Sequence, residues 1–116
     1  MPHAVVHFEI LGRDKKLLEE FYKSVFKWEI EPVEDWYSLV KPGSGIHGGI
    51  GARAQHTGHV TFYVAVTDIA AALALIESKG GKTAYGPNPI PDGGIIAGFT
   101  DPEGHMIGLV QPPPGM

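Results

Sequence analysis

Two side chains that could exchange protons or hold a metal ion lie two positions apart near the start of the chain, at His7 and Glu9. The segment around them, Val5 to Leu11, is rich in β-branched and aromatic residues, which predicts a strand with both side chains on one face. Because a histidine titrates near neutral pH, His7 is the candidate general acid or base, and Glu9 is placed to orient it.

A second strand-like segment, HVTFYVAV, places His59, Thr61 and Tyr63 on one face. A catalytic divalent metal needs about three His, Asp or Glu ligands and an open position. By residue type, His7, Glu9 and His59 would form such a set. In the interpretation we favour, His7 is instead hydrogen-bonded to a neighbour in a pocket, and His59 is a solvent-exposed residue at the start of a strand.

Aromatic residues on or beside the predicted strands suggest a binding pocket. Trp36, Tyr63, Tyr85 and Phe99 would border it, and the polar side chains above would supply hydrogen bonds. Apolar walls with a few polar groups are typical of small-molecule sites. The alternative, which the sequence leaves open, is that some of these rings only pack the core.

The composition is that of an ordinary globular domain. The chain has 116 residues, of which 43% are hydrophobic and 19% charged, and its formal net charge is −4. No basic stripe points to nucleic acid or an anionic membrane. There are no cysteines, so a disulfide framework, a thiolate nucleophile and a thiolate metal site are excluded. Because no segment is long enough to span a bilayer and no signal-peptide pattern opens the chain, we expect a cytoplasmic protein.

The chain contains an internal repeat. VHFEILGRD, from Val6, aligns without a gap with VTFYVAVTD, from Val60, at an offset of 54 positions. Asp14 and Asp68 are equivalent and are predicted helix N-caps. Each half reads strand, helix, strand, strand, strand. We therefore predict one domain made of two repeats, about residues 3–55 and 58–112.

The first predicted helix runs from Lys15 to Phe26. Its apolar residues have the spacing of one helix face, which we expect to be buried: Leu17, Leu18, Phe21, Tyr22, Val25 and Phe26. Strands are predicted over Trp28–Val33, Asp35–Lys41 and Ile46–Ala52. In the second half, a helix from Asp68 to about Lys79 is followed by a short strand, Lys82–Tyr85, a rigid proline-rich loop and a closing hairpin.

Two glycine-rich segments resemble nucleotide-binding loops only superficially. GSGIHG, from Gly43 to Gly48, matches G-x-G-x-x-G, but no amphipathic helix follows to hold a pyrophosphate. SKGGKT follows a helix rather than preceding one, so it is interpreted as a C-cap. No G-x-S-x-G surrounds a serine, which argues against a nucleophile elbow.

The doubled βαβββ pattern resembles the vicinal oxygen chelate superfamily, the glyoxalase, bleomycin-resistance and extradiol-dioxygenase group. The resemblance rests on FYKSVFKWEI, VTFYVAVTDIAAALALIESKGGKT and DPEGHMIGLVQ, and covers nearly the whole chain. It implies an α+β fold in which two tandem βαβββ modules form a curled, mostly antiparallel sheet around a cleft. It also implies a homodimer.

The resemblance further implies four metal-ligand positions. His7 matches one, but the others fall at Thr61, at Gly108 and near Gly48, Gly49 or Ile50, none of which is a carboxylate. A superfamily that spans many activities does not define a reaction.

We therefore expect a protein that binds a small, partly apolar or aromatic molecule, without a catalytic metal or other cofactor. The expected ligand-binding residues are His7, Trp36, His59, Thr61, Tyr63, Phe99 and Gly108. If a reaction follows, His7 and Glu9 would catalyse it. The alternatives are a metal-dependent lyase, isomerase or dioxygenase of glyoxalase type, and a dimeric interaction module with a vestigial cleft.

Overall fold

The computed structural model of the protein describes residues 2–52 and 58–114. The chain forms two compact units, one containing the described residues of Val6–Thr61 and the other those of Met1–Val5 and Phe62–Met116. The secondary structure confirms two tandem βαβββ modules. The first module comprises β1 (Val5–Gly12), α1 (Lys15–Phe26), β2 (Glu29–Glu34), β3 (Tyr37–Lys41) and β4 (His47–Ala52). The second comprises β5 (His59–Ala65), α2 (Ile69–Ser78), β6 (Lys82–Pro89), β7 (Ile95–Thr100) and β8 (Met106–Gln111).

The strands of the two modules follow the same order. In the first it is β2-β3-β4-β1, with β1 and β4 parallel and the other neighbours antiparallel. In the second it is β6-β7-β8-β5, with β5 and β8 parallel. Each module is thus a mostly antiparallel sheet whose first and last strands lie side by side. Glu9 is paired with Gly49, and its repeat equivalent Tyr63 is paired with Gly108.

Both predicted N-caps are confirmed. One carboxylate oxygen of Asp14 accepts a hydrogen bond from the amide of Leu17 at 3.0 Å, and Asp68 accepts one from Ala71 at the same distance. Each cap residue has an extended backbone, as the position requires. The repeat is therefore preserved in the capping chemistry as well as in the hydrophobic pattern.

The second module has a well-defined apolar core. Val66, the residue after β5, packs with residues of α2, β7 and β8, and the cluster consists of Val66, Ile69, Leu73, Ala97 and Leu109. Leu109 and Gly108 are adjacent on β8, so their positions alternate between the two faces of the sheet.

Helix α1 differs from the prediction of a buried apolar face. Leu17, Phe21 and Val25 are 68%, 56% and 52% exposed, and no residue of α1 is fully buried. The least exposed residues of the helix have helical spacing along another side: Lys15, Leu18, Glu19 and Tyr22. The prediction was wrong because the apolar sector of the helix is wider than the side that the sheet covers.

A hydrogen-bonded polar group lies under α1. Lys15 Nζ donates to Glu19 Oε2 at 2.7 Å and to Ser38 Oγ at 2.9 Å, and Ser38 also donates to Glu19. Ser38 is fully buried on β3. Lys15 and Glu19, two of the charged residues of the helix, therefore have partners where they meet the sheet.

Two strand boundaries differ from the prediction. β3 begins at Tyr37, and Trp36 lies in the turn that precedes it. β6 continues past Tyr85 to Pro89, with register shifts in its pairing to β7. Because β6 is the outermost strand of its module, its prolines interrupt no second ladder of hydrogen bonds.

The predicted closing hairpin is present, and its turn is closed by a backbone hydrogen bond. The amide of Gly104 donates to the carbonyl oxygen of Asp101 at 2.9 Å, and Gly104 has a φ of +92°. Across residues 2–52 and 58–114, no helix is long and apolar enough to cross a membrane.

Candidate functional site

A chain of three hydrogen-bonded side chains connects β1 and β3 in the first module. Tyr37 Oη lies 2.9 Å from His7 Nε2 and 2.9 Å from Glu9 Oε2. His7 and Glu9 share one face of β1, as predicted, but Tyr37 stands between them. The direct distance from His7 Nε2 to Glu9 Oε2 is 3.9 Å, too long for a hydrogen bond. The tyrosine therefore links the two titratable groups.

Gly49 makes this connection geometrically feasible. Strand β4 lies between β3 and β1, so the side chain of Tyr37 must cross β4 to reach His7 and Glu9. A Cβ atom built on Gly49 would lie 1.7 Å from Tyr37 Oη, which no side chain could tolerate. The glycine leaves the space that the tyrosine hydroxyl fills.

Burial determines the protonation states in this cluster. Burial, together with the nearby charge of His47, lowers the pKa of His7 below its ordinary value, so the imidazole is neutral at neutral pH. Burial also raises the pKa of Tyr37 strongly, and the charge of Glu9 and its hydrogen bond act in the same direction. Tyr37 therefore keeps its proton and donates it to the Glu9 carboxylate.

The second module has a pair of tyrosines over a pair of glycines. Tyr63 Oη and Tyr85 Oη are 3.3 Å apart. Gly98 and Gly108 face each other across β7 and β8. A Cβ atom on Gly108 would lie 2.4 Å from the Tyr63 ring, and one on Gly98 would lie 2.0 Å from the Tyr85 ring. The two rings thus lie directly against the backbone of Gly98 and Gly108.

The remaining predicted site residues lie in varied surroundings. Thr61 is buried on β5, and His59, at the start of that strand, is exposed. Trp36 is 38% exposed in the turn before β3. Phe99 is partly buried and packs against the apolar core of the second module. The core contact is the alternative that the sequence had left open.

Tyr37 is not among the predicted site residues. The segment from Asp35 is predicted to be a strand, and the neighbouring Trp36 is predicted to be the pocket aromatic. The available signal was alternation, because the buried residues Ser38 and Val40 require Tyr37 to lie on the opposite face. That face of the module carries His7 and Glu9.

The donor set does not fit the metal site that the family resemblance implies. Register identifies Gly49 as the equivalent of Gly108, since Glu9 and Tyr63 are repeat equivalents. Tyrosine side chains occupy the space next to both glycines. Within the described ranges, no three His, Asp or Glu side chains are grouped so that they could hold an ion. The alternative ligand set of His7, Glu9 and His59 is thus not assembled here.

The tandem modules define the class of the fold as glyoxalase-like. A family model of the Glyoxalase/Bleomycin resistance protein/Dioxygenase superfamily matches residues 4–109, and the chain belongs to this superfamily.

Solved structures with this fold include methylmalonyl-CoA epimerases. The enzyme of Mycobacterium tuberculosis has a TM-score of 0.68 at 20% identity, with 95% of this chain and 88% of that chain covered. A methylmalonyl-CoA epimerase in complex with methylmalonyl-CoA and NH4+ has a TM-score of 0.70 at 18% identity, with 97% and 96% covered. At these identities the likeness supports the fold alone.

A curated relative is similar over part of the chain. "Probable lactoylglutathione lyase, chloroplastic" of Arabidopsis thaliana is 36% identical over 63 residues, which are 53% of this chain. The match spans only 17% of the length of that relative.

Proposed function

We propose that this protein binds a small, partly apolar or aromatic molecule next to the His7–Tyr37–Glu9 chain and transfers a proton to or from it without a catalytic metal. The observation that carries this proposal is the hydrogen-bonded chain itself. A neutral imidazole connected to a carboxylate can accept a proton and share the resulting charge with that carboxylate.

The names of the similar proteins are consistent with such chemistry. An epimerase must invert a stereocentre, and proton removal and return is a general way to do so. Methylmalonyl-CoA and lactoylglutathione are both thioesters. We therefore place thioesters among the candidate ligands, beside aromatic metabolites and quinones.

The side chains at the family's ligand positions do not fit a metal ion, and this supports the metal-free part of the proposal. A side chain at Gly49 or Gly108 would collide with Tyr37 or Tyr63. In addition, His7 Nε2 already has Tyr37 as a partner. These contacts favour proton transfer by side chains over coordination.

The experiment is a thermal-shift screen of the full chain with thioesters, quinones and aromatic metabolites. We expect at least one compound to raise Tm in the wild type and in His105→Ala, and to have no effect on His7→Ala. His105 is a suitable control because its side chain is 69% exposed in the β7–β8 turn. For each hit, deuterium incorporation from D2O into the compound, followed by NMR, then tests for proton transfer.

Two outcomes contradict the proposal. Equal stabilisation of the wild type and His7→Ala would move the binding site away from this cluster. A stoichiometric divalent ion in protein purified without a His tag, lost in His7→Ala, would replace the metal-free mechanism with a metal-dependent one.

We also propose that the protein is a homodimer. The support is the exposed stripe of Leu17, Phe21 and Val25 on α1, which we call the α1 stripe. Exposed apolar surface of this kind is typical of protein interaction sites.

A further inference from the structure

We propose that Tyr37 fixes the tautomer of His7, so that the neutral imidazole carries its proton on Nε2 and its basic lone pair on Nδ1. This inference deepens the proposed function and rests on it for its catalytic meaning. Its structural content concerns only the three side chains of the first module. Tyr37 is therefore a positioning residue, which acts on the substrate through His7.

The assignment follows from counting protons along the chain. An ionised carboxylate has no proton to donate, so Tyr37 must be the donor in its 2.9 Å contact with Glu9. A hydroxyl has one proton, and Tyr37 has then used it. The 2.9 Å contact between Tyr37 Oη and His7 Nε2 is a hydrogen bond only if Nε2 carries a proton and donates it. A neutral imidazole with a proton on Nε2 accepts at Nδ1.

The surroundings fix which group donates and which accepts in each of the two hydrogen bonds. Burial and the Glu9 carboxylate raise the pKa of Tyr37, so the phenol does not ionise and cannot become an acceptor for both neighbours. The carboxylate of Glu9 is 13% exposed and lies next to the hydroxyl. Reversing the chain would require a proton on Glu9 before any substrate has reacted.

The chain also provides a route for the proton that His7 receives. When Nδ1 takes a proton from the substrate, the Nε2 proton can pass to Tyr37 Oη while the Oη proton passes to Glu9 Oε2. One N–H and one O–H bond break, and one O–H bond forms on each of Tyr37 and Glu9. The imidazole ends neutral with its proton on Nδ1, the glutamate ends protonated, and no tyrosinate forms.

The tautomer can be measured without any ligand. In a long-range ¹H–¹⁵N spectrum of the full chain, recorded where His7 is neutral, Nδ1 of His7 should appear as the unprotonated, pyridine-type nitrogen. The signal is assigned by its loss in a His7→Ala variant. A wild-type protein with the proton on Nδ1 would overturn the proposal.

Two substitutions at Glu9 should have opposite effects. Glu9→Gln keeps an acceptor for the Tyr37 hydroxyl, so the Nε2-protonated tautomer should persist. Glu9→Met removes that acceptor, the hydroxyl should turn to donate to Nε2, and the tautomer should switch to Nδ1-protonated. Retention of the wild-type tautomer in Glu9→Met would show that Tyr37 does not set it.

Tyr37→Phe keeps the ring beside Gly49 and removes only the hydroxyl, so it should give a mixture of tautomers in a folded protein. Tyr63→Phe is the matched control in the second module and should leave the His7 signals unchanged. A switched or mixed tautomer in the Tyr63 variant would contradict the assignment. Because no ligand is used, failure here is distinguishable from failure of the proposed function, which is read from ligand stabilisation.

Discussion

At the scale of single residues, three glycines matter as much as the side chains they accommodate. Gly49 admits the Tyr37 hydroxyl, and Gly98 and Gly108 accommodate the rings of Tyr85 and Tyr63. All three lie in regular strands rather than in turns. Their role is close approach of an aromatic side chain to the backbone, which any other residue would prevent.

Gly108→Ala tests this role directly. The added Cβ would meet the body of the Tyr63 ring, so we expect a destabilisation of about 1–3 kcal/mol, the usual cost of overpacking. Tyr63→Ala removes the ring, and Gly108→Ala should then cost much less in that background. A double-mutant cycle from urea unfolding measures the difference. Equal costs in both backgrounds would show that the glycine and the ring are not coupled.

The residues of the site were only partly predictable. His7 and Glu9 could be found because they lie two positions apart on one strand, where local alternation places them together. Tyr37 could not be placed next to them by local pattern alone. Its contact crosses β4 and depends on the register of three strands and on the missing side chain of Gly49.

At the scale of elements, the repeat predicts the capped starts of both helices, and the structure adds that the first and last strands pair in each module. The orientation of α1 did not follow from the repeat, because its apolar sector is wider than one sheet can cover. The hydrogen bonds of Lys15 and Glu19 to Ser38 determine which side faces inward. A contact between a helix and a residue 19 positions away has no signature in the helical spacing.

Stability at low pH should depend on this polar group. Burial raises the pKa of Glu19, but hydrogen bonds from Lys15 and Ser38 and the charges of Lys15 and Lys16 outweigh it, so the pKa lies below its ordinary value of 4.5. The resulting stabilisation is present above pH 4.5 and is lost as the pH falls through the lowered pKa.

Ser38→Ala removes one of the hydrogen bonds to the Glu19 carboxylate and should cost about 1–3 kcal/mol at neutral pH. Glu19→Gln should flatten the loss of Tm on acidification below pH 4.5 relative to the wild type. Glu20→Gln, at an exposed position of the same helix, is the control and should keep the wild-type slope. A wild-type slope in Glu19→Gln would show that Glu19 does not contribute to the acid sensitivity.

At the scale of the whole molecule, a comparison of the two modules shows which exposed helix residues the fold does not require. Leu17, Phe21 and Val25 of the α1 stripe correspond to Ala71, Leu75 and Lys79 in the second module. The second helix keeps its cap and its core contacts without the stripe. The βαβββ module therefore does not need three large apolar residues on that side of the helix, and a partner is the simplest physical reason to keep them exposed.

A second copy of the chain suits this surface. Phe21 lies at the centre of the α1 stripe, with Leu17 and Val25 one helical turn to either side. Two antiparallel copies related by a two-fold axis would therefore pair Phe21 with Phe21 and Leu17 with Val25, as an isologous interface requires. We expect a dimer in sedimentation equilibrium and a Tm that rises with protein concentration. Phe21→Lys should make the protein monomeric and its Tm independent of concentration.

Leu75→Lys is the matched control, because Leu75 is the repeat equivalent of Phe21 and is 60% exposed. It introduces the same charge at the same place in the module and should leave the dimer intact. A monomeric wild type would contradict the homodimer, and a dimer that survives Phe21→Lys but not Leu75→Lys would place the interface on the second module. If instead both variants remain dimeric, the copies must associate through a surface other than these helix faces.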